Sequence, residues 1–284
     1  MILKEFKTLF TDKLSELYPQ TEIDSFFFLL IEEYLGFERI DTVLKSAFEI
    51  SQEQFNLLES ATNKLQKEEP IQYILGKTEF YGLPFFVNEH VLIPRPETEE
   101  LIEWVIKKVT STSLSDQNNI LDIGTGSGCI PITLKKHLPH ATISSIDVSE
   151  NAIKVAKKNA ELNNVEINFI YQDILNTSEL HKKFDLIVSN PPYVRELEKD
   201  EIKNNVLENE PHLALFVEDH NPLLFYDKIA DLAKEFLLEN GLLFFEINQY
   251  LGKETVELLQ TKGYKNIELK KDLFGNDRMI LAHK

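Results

Sequence analysis

Leu121-Asp122-Ile123-Gly124-Thr125-Gly126-Ser127-Gly128 constrains this chain more than any other segment. An apolar run enters three glycines set at alternate positions, and a helical pattern follows. Glycine lets a backbone turn sharply and come within contact distance of a ligand. In an open sheet, ligands bind at the carboxyl ends of the strands. The segment therefore predicts a strand tip, a tight turn and a helix start within an α/β fold.

The residues downstream extend that reading. Strands are predicted at 119–123, 141–147, 166–171, 184–189 and 242–247, with helices between them, notably at 150–162 and 222–238. Two final strands, near 266–270 and 278–282, are joined by Leu273-Phe274-Gly275-Asn276-Asp277. A β-α-β rhythm implies a doubly wound sheet. Seven strands result, and the closing hairpin adds an antiparallel strand at one edge.

Residues 1–75 have a different character. Leu3, Phe6, Leu9, Phe10, Leu14 and Leu17 recur at helical spacing, and a second apolar segment runs over 24–35. Ser51 is placed to cap a helix reaching about Lys67. No strand alternation or glycine turn is expected here, so the prediction is a small helical bundle. Residues 78–93, with Gly82, Pro84 and Asn88, suggest a hairpin. Pro94-Arg95-Pro96-Glu97-Thr98-Glu99-Glu100 then opens a helix, with Pro96 in the first turn and acids at the positive end of the dipole. The expected division is a helical domain at 1–75, a hairpin linker at 76–95 and an α/β domain at 96–284.

Asp147 ends the second predicted strand, 23 residues beyond Gly124. An acid about 20 residues on can accept hydrogen bonds from ribose hydroxyls. Ser149 is available to cap the following helix, which leaves Asp147 free for that role. The dinucleotide fingerprint G-x-G-x-x-G wants glycine where Cys129 stands. The observed G-x-G-x-G spacing resembles S-adenosylmethionine-dependent methyltransferases instead. That resemblance implies S-adenosylmethionine held by Gly124, Thr125, Gly126, Ser127, Gly128 and Asp147. It also implies Asp173 on the adenine amino group and Ile174 over the ring.

Asn190-Pro191-Pro192-Tyr193 follows the apolar strand at 184–189. Each proline fixes its own φ, and the residue before a proline is held extended. Asn190 and Pro191 are thus restricted before any ligand arrives. The Asn190 side-chain oxygen and the Pro191 carbonyl can face one point as two acceptors, matching the two hydrogens of a planar NH2 group. Tyr193 offers an aromatic face for a flat group to stack on.

This motif resembles that of methyltransferases acting on planar NH2 groups, in adenine or in glutamine. The segments 94–99 and 271–278, with a helical domain ahead of the hairpin, resemble the release-factor glutamine methyltransferases (HemK/PrmC type). The resemblance implies methylation of the glutamine N5 in the Gly-Gly-Gln motif of peptide-chain release factors. Asn190 would border both cofactor and substrate, and Pro191, Pro192 and Tyr193 would contact the substrate. Two places depart from the family pattern. Asn248 stands where glycine is usual, and Phe216-Val217-Glu218-Asp219 stands where glycines are expected.

The alternative is an adenine-N6 methyltransferase acting on DNA or RNA. A net charge of −17 opposes it, because only short lysine pairs occur where a nucleic-acid binder gathers a basic patch. A lone cysteine, Cys129, excludes an intrachain disulfide and a cysteine-based metal site, and the seven histidines form no metal pattern. The first residues lack an apolar signal core, and the longest apolar run, 26–31, is far short of the ~20 residues that span a bilayer. A cytoplasmic protein with no membrane partner is expected.

Overall fold

The computed structural model describes residues 1–111 and 118–284. They form two compact units: Met1–Gly76 with Asn204–Asn209, and Lys77–Lys203 with Glu210–Lys284.

The first unit is helical: α1 (Leu3–Leu14), α2 (Gln20–Leu35), α3 (Asp41–Leu44), α4 (Gln52–Leu65) and α5 (Ile71–Leu75). On α1, Leu3, Phe6, Phe10 and Leu14 share one buried face. They meet Ile23, Phe27, Leu30 and Ile31 of α2, and the rings of Phe6, Phe10 and Phe27 lie 5.8–6.3 Å apart. Ser51 caps α4 as expected. Its Oγ accepts from Gln54 N at 3.2 Å and Gln54 Oε1 accepts from Ser51 N at 3.1 Å, a reciprocal box. The helix stops at Leu65 rather than Lys67. One expectation fails here, because a glycine turn is present: Gly36, at φ +66°, ends α2 in the left-handed conformation.

The second unit opens with a hairpin, β1 (Lys77–Phe80) and β2 (Leu83–Phe86), and continues through α6 (Pro96–Ser111), β3 (Asn119–Ile123), α7 (Cys129–His137), β4 (Thr142–Asp147), α8 (Glu150–Leu162), β5 (Asn168–Tyr171) and β6 (Phe184–Ser189). A two-residue strand β7 (Val194–Arg195) and a 3-10 turn, Glu196–Glu201, come next. They precede α9 (Asn204–Leu207), which counts with the first unit, α10 (His212–Leu215) and β8 (Phe216–Val217). The chain closes with α11 (Leu224–Phe236), β9 (Leu237–Glu246), α12 (Gly252–Thr261), β10 (Lys265–Lys271) and β11 (Asp277–His283).

Seven strands form one sheet in the order β10-β11-β9-β6-β3-β4-β5. From β9 to β5 the pairings are parallel, while β11 runs antiparallel to both neighbours. Strand order reverses between β3 and β6, so a crevice opens at their carboxyl ends. Side chains alternate across the sheet. Leu242 and Phe244 of β9 join Leu101, Trp104 and Val105 of α6 on one face. Leu243 and Phe245 join Tyr226 and Ile229 of α11 on the other. β9 begins five residues earlier than predicted. Its pairing steps from Phe184↔Leu237 to Leu186↔Leu242, so the exposed residues between loop out, with Asn240 at φ 64°.

The hairpin is shorter than 78–93. Tyr81 and Gly82, at φ 52° and 72°, form its turn, with both central residues left-handed. β2 ends at Phe86, and Asn88 starts a turn by accepting from His90 N at 3.1 Å. The hairpin belongs to the second unit, held by α8. Buried Asn159 accepts from Phe86 N at 2.6 Å and donates to Phe86 O at 2.9 Å, and Asn163 donates to Pro84 O at 2.9 Å. The acids that open α6 serve other backbones. Glu99 accepts from Tyr81 N at 2.6 Å and Glu100 from Leu273 N at 3.1 Å. Among the described residues no helix is long and apolar enough to cross a membrane.

Candidate active site

Gly124, Gly126 and Gly128 all have positive φ, at 92°, 52° and 83°. The turn they make is fastened to β4. Gly124 N and Thr125 N both donate to Ile146 O, at 2.9 and 3.1 Å, and Gly126 N donates to Asp147 Oδ2 at 2.9 Å. Gly128 serves packing. A Cβ there would lie 2.9 Å from Ile132 Cδ1 and 3.1 Å from Ala156 Cβ, so its absence lets α7 and α8 approach. Asn159 of α8 also donates to Ser127 O at 2.8 Å.

Beneath the turn lies a buried polar line. Ser145 Oγ donates to Asp122 Oδ2 at 2.5 Å, and Thr125 Oγ1 lies 2.6 Å from Ser145 Oγ. Burial pushes the Asp122 carboxyl up to about 8, with the Ser145 hydrogen bond opposing the shift.

Asp147 is not the cap of α8. Ser149 takes that place, its Oγ accepting from Ala152 N at 3.2 Å. Each Asp147 oxygen has one backbone donor, Gly126 N on one and Ser149 N at 2.8 Å on the other. Burial raises its pKa, and these backbone N–H bonds oppose the rise. Asp173 starts a turn, accepting from Leu175 N at 2.9 Å and from Asn176 Nδ2 at 2.6 Å, with buried Ile174 between.

A cavity of about 260 Å³ lies at the switch point. Gly124, Thr125, Gly126, Ser127, Asp147, Asp173, Ile174, Asn190, Pro191 and Pro192 all line it. Of the expected site residues, Gly128 and Tyr193 do not. The Gly128 backbone is spent on helix packing, and the Tyr193 ring packs against the α11-side core. The Tyr193 ring is therefore not part of the cavity wall.

The Asn190 bend is held by a chain of side-chain hydrogen bonds that starts at Thr98, itself in the cavity wall. Ser189 Oγ donates to Ile123 O at 2.6 Å, tying the ends of β6 and β3 together. Asn190 Nδ2 donates to Thr98 Oγ1 at 3.2 Å, Thr98 Oγ1 donates to Glu246 Oε2 at 2.6 Å, and Glu246 Oε1 accepts from Tyr193 OH at 3.0 Å. Burial raises the Glu246 pKa, while the Thr98 and Tyr193 hydrogen bonds and the Arg278 charge favour its carboxylate. Burial likewise pushes the Tyr193 phenol well above its ordinary value.

The two departures from the family pattern have a structural account. Asn248 Nδ2 donates to Tyr193 O at 2.9 Å and to Glu198 Oε2 at 2.8 Å, so the larger side chain holds the segment after the bend. Phe216-Val217 pairs with Val194-Arg195, and Asp219 accepts from Leu197 N at 3.0 Å. Buried Glu210 accepts from Ile93 N at 3.1 Å and Arg95 Nη2 at 2.5 Å, placing Pro211, Leu213 and Ala214 in the cavity wall. Thr98, Glu246, Glu210 and Asn248 were not marked as site residues by sequence reasoning. Glu246 alone carried a signal, an acid at a strand end directly after the apolar run Leu242–Phe245.

Comparison with known proteins bears on this site. The family model described as "Methyltransferase small domain" matches residues 103–214, and "PrmC N-terminal domain" matches 8–76. The release factor glutamine methyltransferase of Flavobacterium psychrophilum is 55% identical over 280 residues, covering 99% of this chain and 98% of that protein. The chain belongs to that family. The Bacteroides thetaiotaomicron family member is 42% identical over 95% of this chain and 96% of its own length. Among solved structures, the catalytic domain of hMettl16 in complex with an RNA hairpin superposes at TM-score 0.56 with 17% identity, over 82% of each chain. The 16S rRNA methyltransferase RsmC of T. thermophilus, in complex with AdoMet and guanosine, gives 0.52 with 17% identity, over 73% of this chain and 49% of that one. These two likenesses show the Rossmann-like methyltransferase fold, and family membership makes the chain a methyltransferase.

Proposed function

We propose that the chain transfers a methyl group from S-adenosylmethionine to the side-chain N5 of the glutamine in the Gly-Gly-Gln motif of a peptide-chain release factor. One observation carries this reading beyond family membership. Asn190, Pro191 and Pro192 share a cavity wall with Gly124, Gly126 and Asp147, and the Asn190 NH2 is already engaged by Thr98.

The residues present fit the cofactor. Asp147 has one chain donor per oxygen, so lone pairs remain for ribose hydroxyls. Ile146, Val148 and Ile174 give apolar wall for a flat ring, beside Asp173. Arg95, the guanidinium in the wall, is committed to Glu210, as suits a ligand without phosphates. S-adenosylmethionine supplies an electrophilic methyl group on sulfur. Backbone at Gly124 to Ser127 would permit its close approach, Asp147 would accept from the ribose, and Asp173 and Ile174 would bound the adenine.

A carboxamide nitrogen is a weak nucleophile, because its lone pair is delocalised into the carbonyl. Asn190 Oδ1 and Pro191 O accept its two hydrogens, hold the nitrogen in place and favour the positive charge that develops on it. Positioning and fixed dipoles supply the acceleration, and the surplus proton leaves to water. With Tyr193 outside the cavity wall, the flat contact with substrate falls to Pro191 and Pro192, while Tyr193 steadies Glu246.

The test uses labelled S-adenosylmethionine with a release factor and with a variant whose motif glutamine is alanine. Label should enter only the first. Asn190→Ala should lower transfer by about 10²–10³, the cost of one lost electrostatic contact to a developing charge, with cofactor affinity intact. Label in the glutamine-free factor, or preferential methylation of adenine in nucleic acid, would overturn the reading.

A further inference from the structure

An asparagine amide has two ends of nearly equal shape and opposite chemistry: an oxygen that accepts and an NH2 that donates. Turned over, Asn190 would present donors to the donors of an incoming NH2 group, and the bend would repel what it is proposed to hold. The residues that hydrogen-bond Asn190 decide which end is left for a ligand.

Glu246 is 1% exposed and Thr98 2%, so water does not reach this contact freely. As a carboxylate Glu246 can only accept. Its Oε2 takes the single Thr98 hydroxyl hydrogen at 2.6 Å, and its Oε1 takes the Tyr193 hydrogen at 3.0 Å. The Thr98 oxygen then has only lone pairs to offer, and Asn190 lies 3.2 Å away. The NH2 end alone can meet it. We infer that Thr98, with its hydroxyl direction set by buried Glu246, is a positioning residue that locks Asn190 with its oxygen toward the substrate. The inference rests on the reading of Asn190 as an amide acceptor. The same chain of donors, anchored on a negative charge, also polarises Asn190 and strengthens its oxygen as an acceptor.

Thr98→Val keeps the shape and removes the hydroxyl, whereas Thr98→Ser keeps the hydroxyl and removes the methyl. Both are tested in the full chain with a release factor as substrate. Thr98→Val should lower kcat by about 10- to 100-fold, as expected for a misaligned contact, with cofactor Kd and release-factor KM changed by no more than about twofold. Thr98→Ser should restore kcat to within about threefold of wild type, because the hydroxyl is what matters. Full kcat in Thr98→Val, or equal loss in both variants, would overturn the inference.

A second measurement is independent of turnover. With 15N-asparagine labelling, one Asn190 side-chain N–H should exchange slowly with solvent in wild type and in Thr98→Ser, and quickly in Thr98→Val. Fast exchange in wild type would overturn the inference. An absence of methyl transfer by wild type, with the slow proton present, would instead count against the proposed substrate.

Discussion

Asn159 is a fully buried polar side chain on the inner face of α8, and its replacement by alanine tests how the site is braced. Its amide makes three hydrogen bonds, from Phe86 N at 2.6 Å, to Phe86 O at 2.9 Å and to Ser127 O at 2.8 Å. The Ser127 carbonyl is enclosed, so stranding it costs about 1–3 kcal/mol. Phe86 is 44% exposed, so water recovers part of the other two, leaving a net loss of about 0.5–1 kcal/mol each. The better helix propensity of alanine returns about 0.6 kcal/mol. The balance is a loss of about 1.5–4.5 kcal/mol, or a fall in Tm of very roughly 3–18 °C for a unit of this size. Urea unfolding should show a lower midpoint at an unchanged slope. Asn159→Asp should be worse than alanine, because it keeps only the acceptor for Phe86 N and turns a carboxylate toward two carbonyl oxygens. Cofactor affinity, read by calorimetry, should fall in both, since Ser127 loses its anchor. A loss under about 1 kcal/mol, or an aspartate variant as stable as wild type, would refute this account.

Gly128→Ala should destabilise by well over 1 kcal/mol, since its φ of +83° strains any side chain and its Cβ would stand 2.9 Å from Ile132. Gly126→Ala, with nothing within 4 Å, should meet only the backbone strain of about 1 kcal/mol, and thermal unfolding of the two side by side checks the order. Asp122 titrates near 8 in the folded protein against 3.8 ordinarily, so the folded state keeps a proton that the unfolded chain has released. Its contribution to stability is present at low pH and is lost as pH rises from about 4 to about 8. Asp122→Asn removes that dependence, so the stability of the variant relative to wild type should climb across this window, and parallel pH profiles from urea unfolding would contradict it.

The fold was readable because its signals are local. Most of the parallel strands carry a short apolar run, Gly124 and Gly126 sit where the chain must turn, and Ser51 and Ser149 stand next to the helices they cap. What escaped is what depends on distant partners. The hairpin reads as a linker until Asn159, 73 residues beyond Phe86, is seen to hold it. The start of β9 was missed because residues 238–240 are exposed and loop out, so no apolar pattern marks them. Gly128 reads as a place for a ligand until Ala156 of α8 fills the space in front of it.

The same division runs through the site. Asn190-Pro191-Pro192 announces a rigid bend, because proline stiffness is a property of neighbours in sequence. Rigidity does not say which end of the amide is left for a ligand. That choice is made by Thr98, 92 residues earlier, and by Glu246, 56 residues later, whose hydrogen bond to each other spans 148 residues. Thr98 looks like any first-turn helix residue, and the acid at Glu246, though it ends an apolar run, does not name its partners. Tyr193 is the opposite case. An aromatic beside two prolines suggests a stacking platform, yet its hydroxyl needs a partner once buried, and Glu246 draws it inward. A bend that can be read from four residues therefore gains its chemical direction from a carboxylate that only the closed sheet brings to it.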